Sequence, residues 1–345
     1  PRQDVDSFIA CAEDFEGGRS ISDIHVPDQI GAVLRPVQTI PSDGIYGVAV
    51  GYMLINTGTA DIVVVEAHSK ASNLLTPDNV DAFGLDPVLN RPLGHNAKFI
   101  AGMEMNKYLH DSGNTKEQCA AVCVKNKRNA LANPIAANGS KITADDVMNS
   151  EMLFYPLSHL DISPHADGAI LIVLASEEKA KALSKKPVWI RGVGWCSDAP
   201  SLETREWSEP VYIKLAAEQA YKQAGIKDPG SEIDVAEIDD TFSYKELQHM
   251  EALRLCGKGE AGSMTEKGET GLNGKLPVNL SGGSLGVGAL YEANGLQKVA
   301  EIVLQLRGEA GKQQVPDAKL GLAQSWRGIP STSGAVIILS NEEGN

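Results

Sequence analysis

Four side chains in this sequence are candidates for moving protons to and from a bound ligand: Tyr46, His165, Asp239 and Tyr291. Phenol, imidazole and carboxyl groups act as general acids and bases when they come within hydrogen-bonding reach of a substrate. Each of the four also has an ordinary structural use. The elements that surround each residue therefore bear on which of the two interpretations is favoured.

Tyr291 follows the glycine-rich stretch NLSGGSLGVG at 279–288. One interpretation is that its phenol reaches into a pocket and exchanges a proton with a substrate oxygen. The other is that the ring packs beneath the helix that starts near Glu292, since a buried tyrosine needs only one partner for its hydroxyl group. The residues themselves leave both interpretations open.

Asp239 follows SEIDVAEI, which is predicted to be a buried strand at 231–238. Burial would raise the pKa of its carboxyl group towards neutrality and make it a general base. The same residue can instead cap the helix that begins at 240–243, which is the commoner use of Asp at such a place.

Tyr46 and His165 have competing interpretations as well. Tyr46 lies near the start of the predicted helix 43–58, where it either points into a pocket or packs in the core, as aromatic residues on helices usually do. His165 lies in the polar turn SPHADG before the predicted strand 167–176. A histidine there is either a proton carrier or a hydrogen-bonded surface group.

The elements that must position these residues alternate along the chain. Buried apolar strands that alternate with helices predict a layered α/β fold with mainly parallel sheets. This alternation of strands and helices occurs twice, which predicts two halves at 1–178 and 179–345, with a loop insertion at about 75–165 in the first half. The clearest predicted elements are the helices 43–58 and 210–226 and the strands 61–66, 167–176, 187–196, 231–238, 319–326 and 333–340.

Charge and composition exclude some classes of function. The chain has 345 residues, and its acidic residues outnumber the basic ones by 45 to 31. The net charge of −14 argues against nucleic acid and anionic membranes as main partners. No apolar run approaches the roughly 20 residues of a membrane span, and no signal peptide is recognisable, so we predict a cytoplasmic protein.

The five cysteines do not predict disulfides or a metal site. They are scattered, and none of them forms part of a zinc-binding pattern. Cys119 and Cys123 lie one helical turn apart, and we interpret them as buried small residues rather than as metal ligands.

Five segments, taken in order, resemble thiolases of the branch that contains sterol carrier protein X and the archaeal acetyl-CoA acetyltransferases. The resemblance implies a five-layered αβαβα fold built from two similar halves, usually as a homodimer, that binds acyl-CoA. The segments are TGTADIVVVEAHSKAS at 57–72, EQCAAVCVKNKRNALANPIA at 117–136, PLSHLDISPHADGAILIVLAS at 156–176, IDVAEIDDTFSYKEL at 233–247 and GKLPVNLSGGSLGVGALYEANGL at 274–296.

The catalytic residues of thiolases are replaced in this chain. Gly44 lies where the family has its nucleophilic cysteine, and no cysteine occurs between residues 11 and 119. Asp239 and Ala289 lie where the family has histidines. Without a thiolate no acyl-enzyme forms by the usual route. The family's first strand and helix also have no counterpart before Val5–Phe8, so we expect them to be missing here.

The resemblance implies a CoA pocket in which backbone N–H groups hold the thioester oxygen. We expect these groups at Gly44, Ser281, Gly282, Gly283 and Gly288. Such a site can stabilise a thioester enolate, which is what retro-aldol cleavage of a β-hydroxyacyl-CoA requires, and that reaction needs no covalent carrier.

The chain is similar in this respect to steroid side-chain aldolases, which are thiolase-like proteins without the cysteine. They release propionyl-CoA from a 17-hydroxy steroid acyl-CoA together with a small partner that carries a zinc-ribbon and an OB-fold. The resemblance therefore predicts a lyase in which Tyr291 and Asp239 share the proton transfer. We expect no cofactor and no metal on this chain, with CoA carried by the substrate and any zinc in the partner.

Trp326 and Arg327 interrupt a segment where the family usually has glycines, and they either shape a bulky apolar pocket, clasp a carboxylate or simply pack. Two other functions also stay open. The chain could be a catalytically silent subunit that binds acyl-CoA or scaffolds a complex. It could alternatively be an acyltransferase with a displaced nucleophile such as Ser42, although no His–acid relay is evident near it in sequence.

Overall fold

The computed structural model describes residues 2–13, 22–199, 201–328 and 332–343. The strands within these ranges form two four-stranded sheets and one two-stranded sheet. Their bounds are β1 (Ser7–Cys11), β2 (Val37–Ile40), β3 (Ile62–Lys70), β4 (Met152–Phe154), β5 (Leu157–Ser158), β6 (Asp167–Ala175), β7 (Trp189–Ser197), β8 (Val235–Glu237), β9 (Leu320–Arg327) and β10 (Ser333–Ser340).

The α-helices of the same ranges differ widely in length, and six of them have ten residues or more. Their bounds are α1 (Ser22–Gln29), α2 (Gly44–Asn56), α3 (Pro77–Asp81), α4 (Ala97–Ser112), α5 (Lys116–Ala130), α6 (Ala144–Met148), α7 (Glu177–Leu183), α8 (Val211–Ala224), α9 (Pro229–Glu232), α10 (Ser243–Ala252), α11 (Ala261–Glu266), α12 (Gly283–Val287) and α13 (Asn294–Arg307).

The two large sheets share one run of three strands, a parallel pair followed by an antiparallel one, which is β1-β3-β6 in the first sheet and β8-β9-β10 in the second. The first runs β2-β1-β3-β6 and the second β7-β10-β9-β8. β6 is antiparallel to β3, and β10 is antiparallel to both β9 and β7. The expectation of mainly parallel sheets is therefore wrong, because only three of the six pairings in these sheets are parallel. The short connection from β9 to β10 makes an antiparallel pair the natural arrangement there.

Helices α2 and α13 form a layer between the two sheets. α2 packs on β1 and β3, while α13 packs on β8 and β9 and against α2. Gly47 of α2 allows this close approach, since a Cβ there would lie 2.3 Å from Cys11 Sγ. On the far side of the second sheet α8 covers β7 and β10. On the far side of the first, Phe8 and Val64 pack against Ala32. These layers confirm the predicted five-layered α/β fold.

The two sheets differ at one edge. In the second sheet, β7 pairs with β10 and α8 covers the pair. Among the described residues, no strand pairs with the corresponding edge of β6. Leu171 and Val173 of β6 are 54% and 63% exposed.

The insertion between β3 and β6 is helical rather than a loop. It contains α3 to α6 and the small β4–β5 sheet, and α5 begins with a capping box made by Thr115 and Gln118. α5 packs against α10, α11 and α12 of the second half. The insertion is thereby fixed to the second half, and it supplies one wall of the site described below. None of the described helices is long and apolar enough to cross a membrane.

Candidate active site

A cavity of about 450 Å³ lies between the insertion and the second half of the chain. Its size is within the usual range for small-molecule sites. Its wall is partly aromatic and partly polar, and it includes Phe83, Phe242 and Trp326 together with His165, Tyr291 and Asn294. Two of the four residues singled out from the sequence, His165 and Tyr291, therefore lie in one cavity wall.

Backbone pairing brings His165 and Tyr291 together. The Ala289 N–H donates to Pro164 O at 2.8 Å, and the Ala166 N–H donates to Ala289 O at 3.0 Å. These bonds join the turn before β6 to the end of the glycine-rich stretch. The imidazole and phenol rings stack with their centroids 5.0 Å apart and their planes within 10°. Tyr291 has a φ of 48°, a conformation that is uncommon for a bulky residue.

The protonation of His165 follows from its surroundings. Burial of the ring lowers the pKa of His165 below its ordinary value of 6.5, and the nearby Lys98 ammonium lowers it further. The ring nitrogens of His165 bond no described residue, and its side-chain contact is the stack on Tyr291. At neutral pH the site therefore contains an uncharged imidazole with a lone pair available to a ligand.

The position of the family's nucleophile is closed. Gly44 begins α2, and a Cβ at this residue would lie 2.3 Å from Leu296 Cγ. The Asp43 carboxylate accepts hydrogen bonds from the Ile45 N–H at 2.9 Å and from the Gly295 N–H at 2.8 Å. Asp43 thus takes up donors at the starts of both α2 and α13, and Leu296 occupies the space that a nucleophile would need.

Cys11 is the cysteine nearest to this region, and it is not a substitute nucleophile. Its thiol is fully buried against Gly47. Burial raises the pKa of Cys11 well above its ordinary value, and the carboxylates of Asp43 and Glu66 raise it further. A thiol of this kind is not ionised at neutral pH and is unreactive.

The backbone N–H groups of the glycine-rich loop bond carboxyl groups of the protein itself. The Ser281 N–H donates to Glu237 Oε1 at 2.9 Å, and the Ser284 and Leu285 N–H groups donate to Asp240 at 2.5 and 3.2 Å. A Cβ at Gly283 would lie 2.2 Å from Asp240 Oδ2. The loop glycines therefore let the backbone close around a buried carboxylate.

The remaining members of the predicted oxyanion site are also engaged. The Gly282 N–H donates to Asn279 O at 3.1 Å, and the Gly288 N–H donates to Ser284 O at 2.9 Å. Neither glycine is among the residues that line the cavity. None of Gly44, Ser281, Gly282, Gly283 and Gly288 therefore lines the cavity, and the amide donors described above are already bonded.

Asp239 lies behind the cavity wall as well. Its side chain is fully buried and accepts hydrogen bonds from the Thr241 N–H at 3.0 Å and the Thr241 hydroxyl at 3.2 Å. Burial raises the pKa of Asp239 to about 6. Thr241 lines the cavity whereas Asp239 does not. These bonds form a turn that positions Thr241 ahead of α10, whose N-cap is Phe242, so Asp239 does not cap that helix as the capping interpretation predicted.

Tyr46 and Ser42 lie away from the cavity. The Tyr46 hydroxyl donates weakly, at 3.4 Å, to the carbonyl oxygens of Cys196 and Gly334, so it joins α2 to the second sheet. Neither Tyr46 nor Ser42 is among the lining residues, and the Ser42 hydroxyl bonds no described histidine.

An ion-paired cluster beside Tyr291 was not predicted from the sequence. Arg327 at the end of β9 makes two hydrogen bonds to Glu13, at 3.3 and 2.5 Å, and its Nη2 lies 3.5 Å from Glu292 Oε1. Arg327 does clasp a carboxylate, but the carboxylates belong to the chain itself. The signal in the sequence that could have indicated this polar cluster is the pair of polar residues that follow Tyr291, Glu292 and Asn294.

No group of three or more His, Cys, Asp or Glu side chains that could hold a metal ion occurs within the described ranges. Among the polar groups of the cavity wall, Lys98 forms an ion pair with Asp78 at 3.0 Å.

Comparison with known proteins places these features in context. Residues 197–341 match the family described as Thiolase C-terminal domain-like. The chain is 34% identical over 288 residues to an acetyl-CoA acetyltransferase of Methanothermobacter thermautotrophicus, covering 83% of this chain and 75% of the relative. It is 31% identical over 301 residues to the 17-hydroxy-3-oxo-4-pregnene-20-carboxyl-CoA lyase of Mycobacterium tuberculosis, covering 83% of this chain and 76% of the relative.

A third relative and one solved structure complete the comparison. The chain is 33% identical to sterol carrier protein 2 of Oryctolagus cuniculus, matching 81% of this chain but only 54% of that longer protein. The solved structure described as Ltp2-ChsH2(DUF35) aldolase has a TM-score of 0.82 and 26% sequence identity, and the match covers 99% of this chain and 89% of that one.

Proposed function

Because the chain belongs to the thiolase superfamily, we propose that it acts on acyl-CoA by a reaction that needs no sulfur nucleophile, the cleavage of a carbon–carbon bond in a β-hydroxyacyl-CoA. The observation that carries this proposal is the stacked pair of His165 and Tyr291 in the cavity wall. Two proton carriers side by side are what a retro-aldol reaction requires.

The reaction begins when a base takes the proton of the β-hydroxyl group. The electrons of the O–H bond form the ketone carbonyl, the bond between Cα and Cβ breaks, and its electron pair passes into the thioester as an enolate. A proton delivered to Cα then gives the shorter acyl-CoA. In this scheme the neutral imidazole of His165 accepts the proton of the β-hydroxyl group, and the phenol of Tyr291 delivers its own proton to Cα. The imidazolium then returns its proton to the phenolate through solvent, so both side chains regain their starting states.

The closed position at Gly44 supports a route without an acyl-enzyme. A nucleophile there would collide with Leu296, and the buried thiol of Cys11 is held un-ionised. A retro-aldol reaction leaves the thioester bond intact throughout, so it does not need the missing group. The same observation disfavours the acyltransferase alternative, although the name of one relative is that of an acetyltransferase.

The aromatic residues of the wall support a bulky acyl group. Phe83, Phe242 and Trp326 offer flat apolar surfaces on the scale of fused rings. One relative is named a lyase of a 17-hydroxy steroid carboxyl-CoA. We therefore propose a steroid side-chain CoA thioester as the substrate, with a steroid ketone and a short acyl-CoA such as propionyl-CoA as the products.

The proposed assembly contains a second subunit. The similar solved aldolase is described by two components, Ltp2 and ChsH2(DUF35). We propose that this chain forms a homodimer and binds a small partner with a zinc-ribbon and an OB-fold, and that any zinc belongs to that partner. Co-expression with such a partner, followed by size-exclusion chromatography with light scattering, measures the composition of the complex.

The enzyme assay uses the chain together with its partner and a 17-hydroxy steroid carboxyl-CoA. The proposal predicts steroid ketone and short acyl-CoA in equal amounts. Tight binding of the thioester without any cleavage would contradict the lyase and favour the silent-subunit alternative. Transfer of the acyl group to a second thiol would contradict it in favour of an acyltransferase.

A further inference from the structure

A thioester enolate needs hydrogen-bond donors at its oxygen, and most of the expected backbone donors are already in use. Those of the glycine-rich loop bond Glu237, Asp240 and other groups of the loop itself. The Ile45 and Gly295 N–H groups at the starts of α2 and α13 bond the Asp43 carboxylate. Neither Gly44 nor the loop residues line the cavity, so a donor to the enolate is sought among the groups of the cavity wall.

Asn294 has such a donor. Its Oδ1 accepts a hydrogen bond from the Leu290 N–H at 2.8 Å. Since an N–H group can only donate, the amide atom that faces it is the oxygen, and the orientation of the side chain is settled. The Nδ2 group then points away from Leu290 and bonds no described residue. Asn294 lines the cavity beside Tyr291.

The surroundings of Asn294 hold its amide in place. The residue is 7% exposed and begins α13, whose next residue is tied to Asp43. A donor fixed before the reaction stabilises developing charge without the cost of reorganising, and in a site that excludes water its effect is larger than in solution. The amide of Asn294 meets the first condition through its bond to the Leu290 N–H, and its low exposure limits its contact with bulk water.

We propose that the Nδ2 group of Asn294 donates a hydrogen bond to the thioester oxygen and stabilises the enolate that forms when the carbon–carbon bond breaks. This inference rests on the proposed lyase function and adds a catalytic residue that the sequence did not indicate. Asn294 itself is not changed in the reaction, because it donates a hydrogen bond and gives up no proton.

Two substitutions separate this role from a purely structural one. Asn294→Asp keeps an acceptor for the Leu290 N–H but loses the donor, whereas Asn294→Ala loses both. We expect kcat of Asn294→Asp to fall roughly 10²–10³-fold with KM changed only a few-fold, which is typical of the loss of one oxyanion donor. Wild-type kcat in Asn294→Asp, with a defect only in Asn294→Ala, would overturn the inference.

The pH dependence of Asn294→Asp gives a second signature. A protonated carboxyl group regains an O–H donor, so the activity of this variant relative to wild type should rise as the pH falls. Asn96→Asp serves as the matched control, because Asn96 also accepts a backbone N–H at a helix start, at 2.8 Å, but does not line the cavity. A constant ratio across the pH range for Asn294→Asp would overturn the inference.

A binding measurement tests the inference without turnover and without relying on Asn294→Asp to fold. The infrared stretch of propionyl-CoA labelled with ¹³C at the thioester carbonyl should move to lower frequency on the wild-type complex and back towards the free value in Asn294→Ala. A shift that is equal in both proteins, or absent from the wild type, overturns the role of Asn294. Wild-type protein that shifts the carbonyl but cleaves no substrate refutes the lyase function alone.

Discussion

The glycine-rich loop, residues 279–288, and the turn that follows it, residues 289–294, differ in how they use their polar groups. In the loop, buried carboxylates such as Asp240 and Glu237 take up the amide donors. In the turn, Tyr291 stacks on His165 at the cavity wall, and Asn294 leaves its amide nitrogen for a ligand. The loop therefore serves as a rigid support, and the turn carries the groups that can react.

The comparison shows that a glycine-rich loop need not mark a ligand-binding backbone. A Cβ at Gly283 would collide with Asp240, and one at Gly288 would lie 2.4 Å from the Ala166 Cβ. Packing alone is enough to require both glycines. The groups that can do chemistry are side chains a few residues further along.

The largest expected effect is the loss of the phenol at the turn. Tyr291→Phe keeps the stack on His165 but removes the hydroxyl group, and we expect kcat/KM for lyase turnover to fall roughly 10²–10⁴-fold, as for other general acids and bases. Tyr46→Phe is the matched control, since the Tyr46 hydroxyl makes only two bonds of 3.4 Å outside the cavity. Equal losses of kcat/KM in the two variants would show that the Tyr291 hydroxyl matters no more for turnover than the Tyr46 hydroxyl does.

The pH profile distinguishes His165 from Asp239 as the base. The lowered pKa of His165 predicts an acid limb of kcat/KM whose midpoint lies below pH 6.5, with a fall of about tenfold per pH unit beneath that midpoint. Asp239 has a pKa of about 6 and could produce a similar limb. Asp239→Asn should therefore keep the acid limb, while His165→Asn should abolish it together with most of the activity. Loss of the acid limb in Asp239→Asn would instead assign the role of base to Asp239.

The start of α2 should not accommodate a new nucleophile. Gly44→Cys places a side chain against Leu296, and overpacking of this kind costs about 1–3 kcal/mol of unfolding free energy. Leu296→Ala should recover part of that loss when the two are combined, which chemical denaturation of the single and double variants measures. Full stability of Gly44→Cys, together with labelling by a thioester, would show that the position is open.

The smallest expected effect concerns the buried carboxylate behind the wall. Since Asp239 has a pKa of about 6 in the folded chain against 3.8 when unfolded, the folded state holds its proton more tightly. Wild type should therefore lose stability relative to Asp239→Asn as the pH rises from about 4 to about 6. Melting temperatures of both proteins across this range measure the effect, and a difference that does not vary with pH would contradict it.

Much of the fold follows from the sequence pattern. The apolar runs at 167–176 and 333–340 correspond to β6 and β10, and the helices predicted at 43–58 and 210–226 correspond to α2 and α8. These elements are strongly patterned, so local sequence determines them, although β10 is buried throughout whereas alternate residues of β6 are exposed. The prediction of a loop insertion at about 75–165 missed α4, whose helix is stabilised by burial of Ile100, Met105 and Tyr108 and by the Asn96 cap.

The site could be predicted only in part. Tyr291 and His165 were recognisable as proton carriers, but their contact depends on backbone pairing between residues far apart in the chain. The sequence allows a base or a helix cap at Asp239, whereas its observed bonds to Thr241 form a turn ahead of α10. The role of Asn294 depends on which of its amide atoms faces Leu290, and no sequence pattern records that.

The most direct test of carbon–carbon cleavage without a covalent intermediate is the mass of the protein during turnover. The complex is mixed with excess 17-hydroxy steroid carboxyl-CoA, quenched in acid at intervals, and the intact mass of this chain is recorded alongside the products. The account predicts an unmodified mass at every time while ketone and short acyl-CoA accumulate in equal amounts. An adduct with the mass of an acyl group that rises and decays with turnover would contradict it.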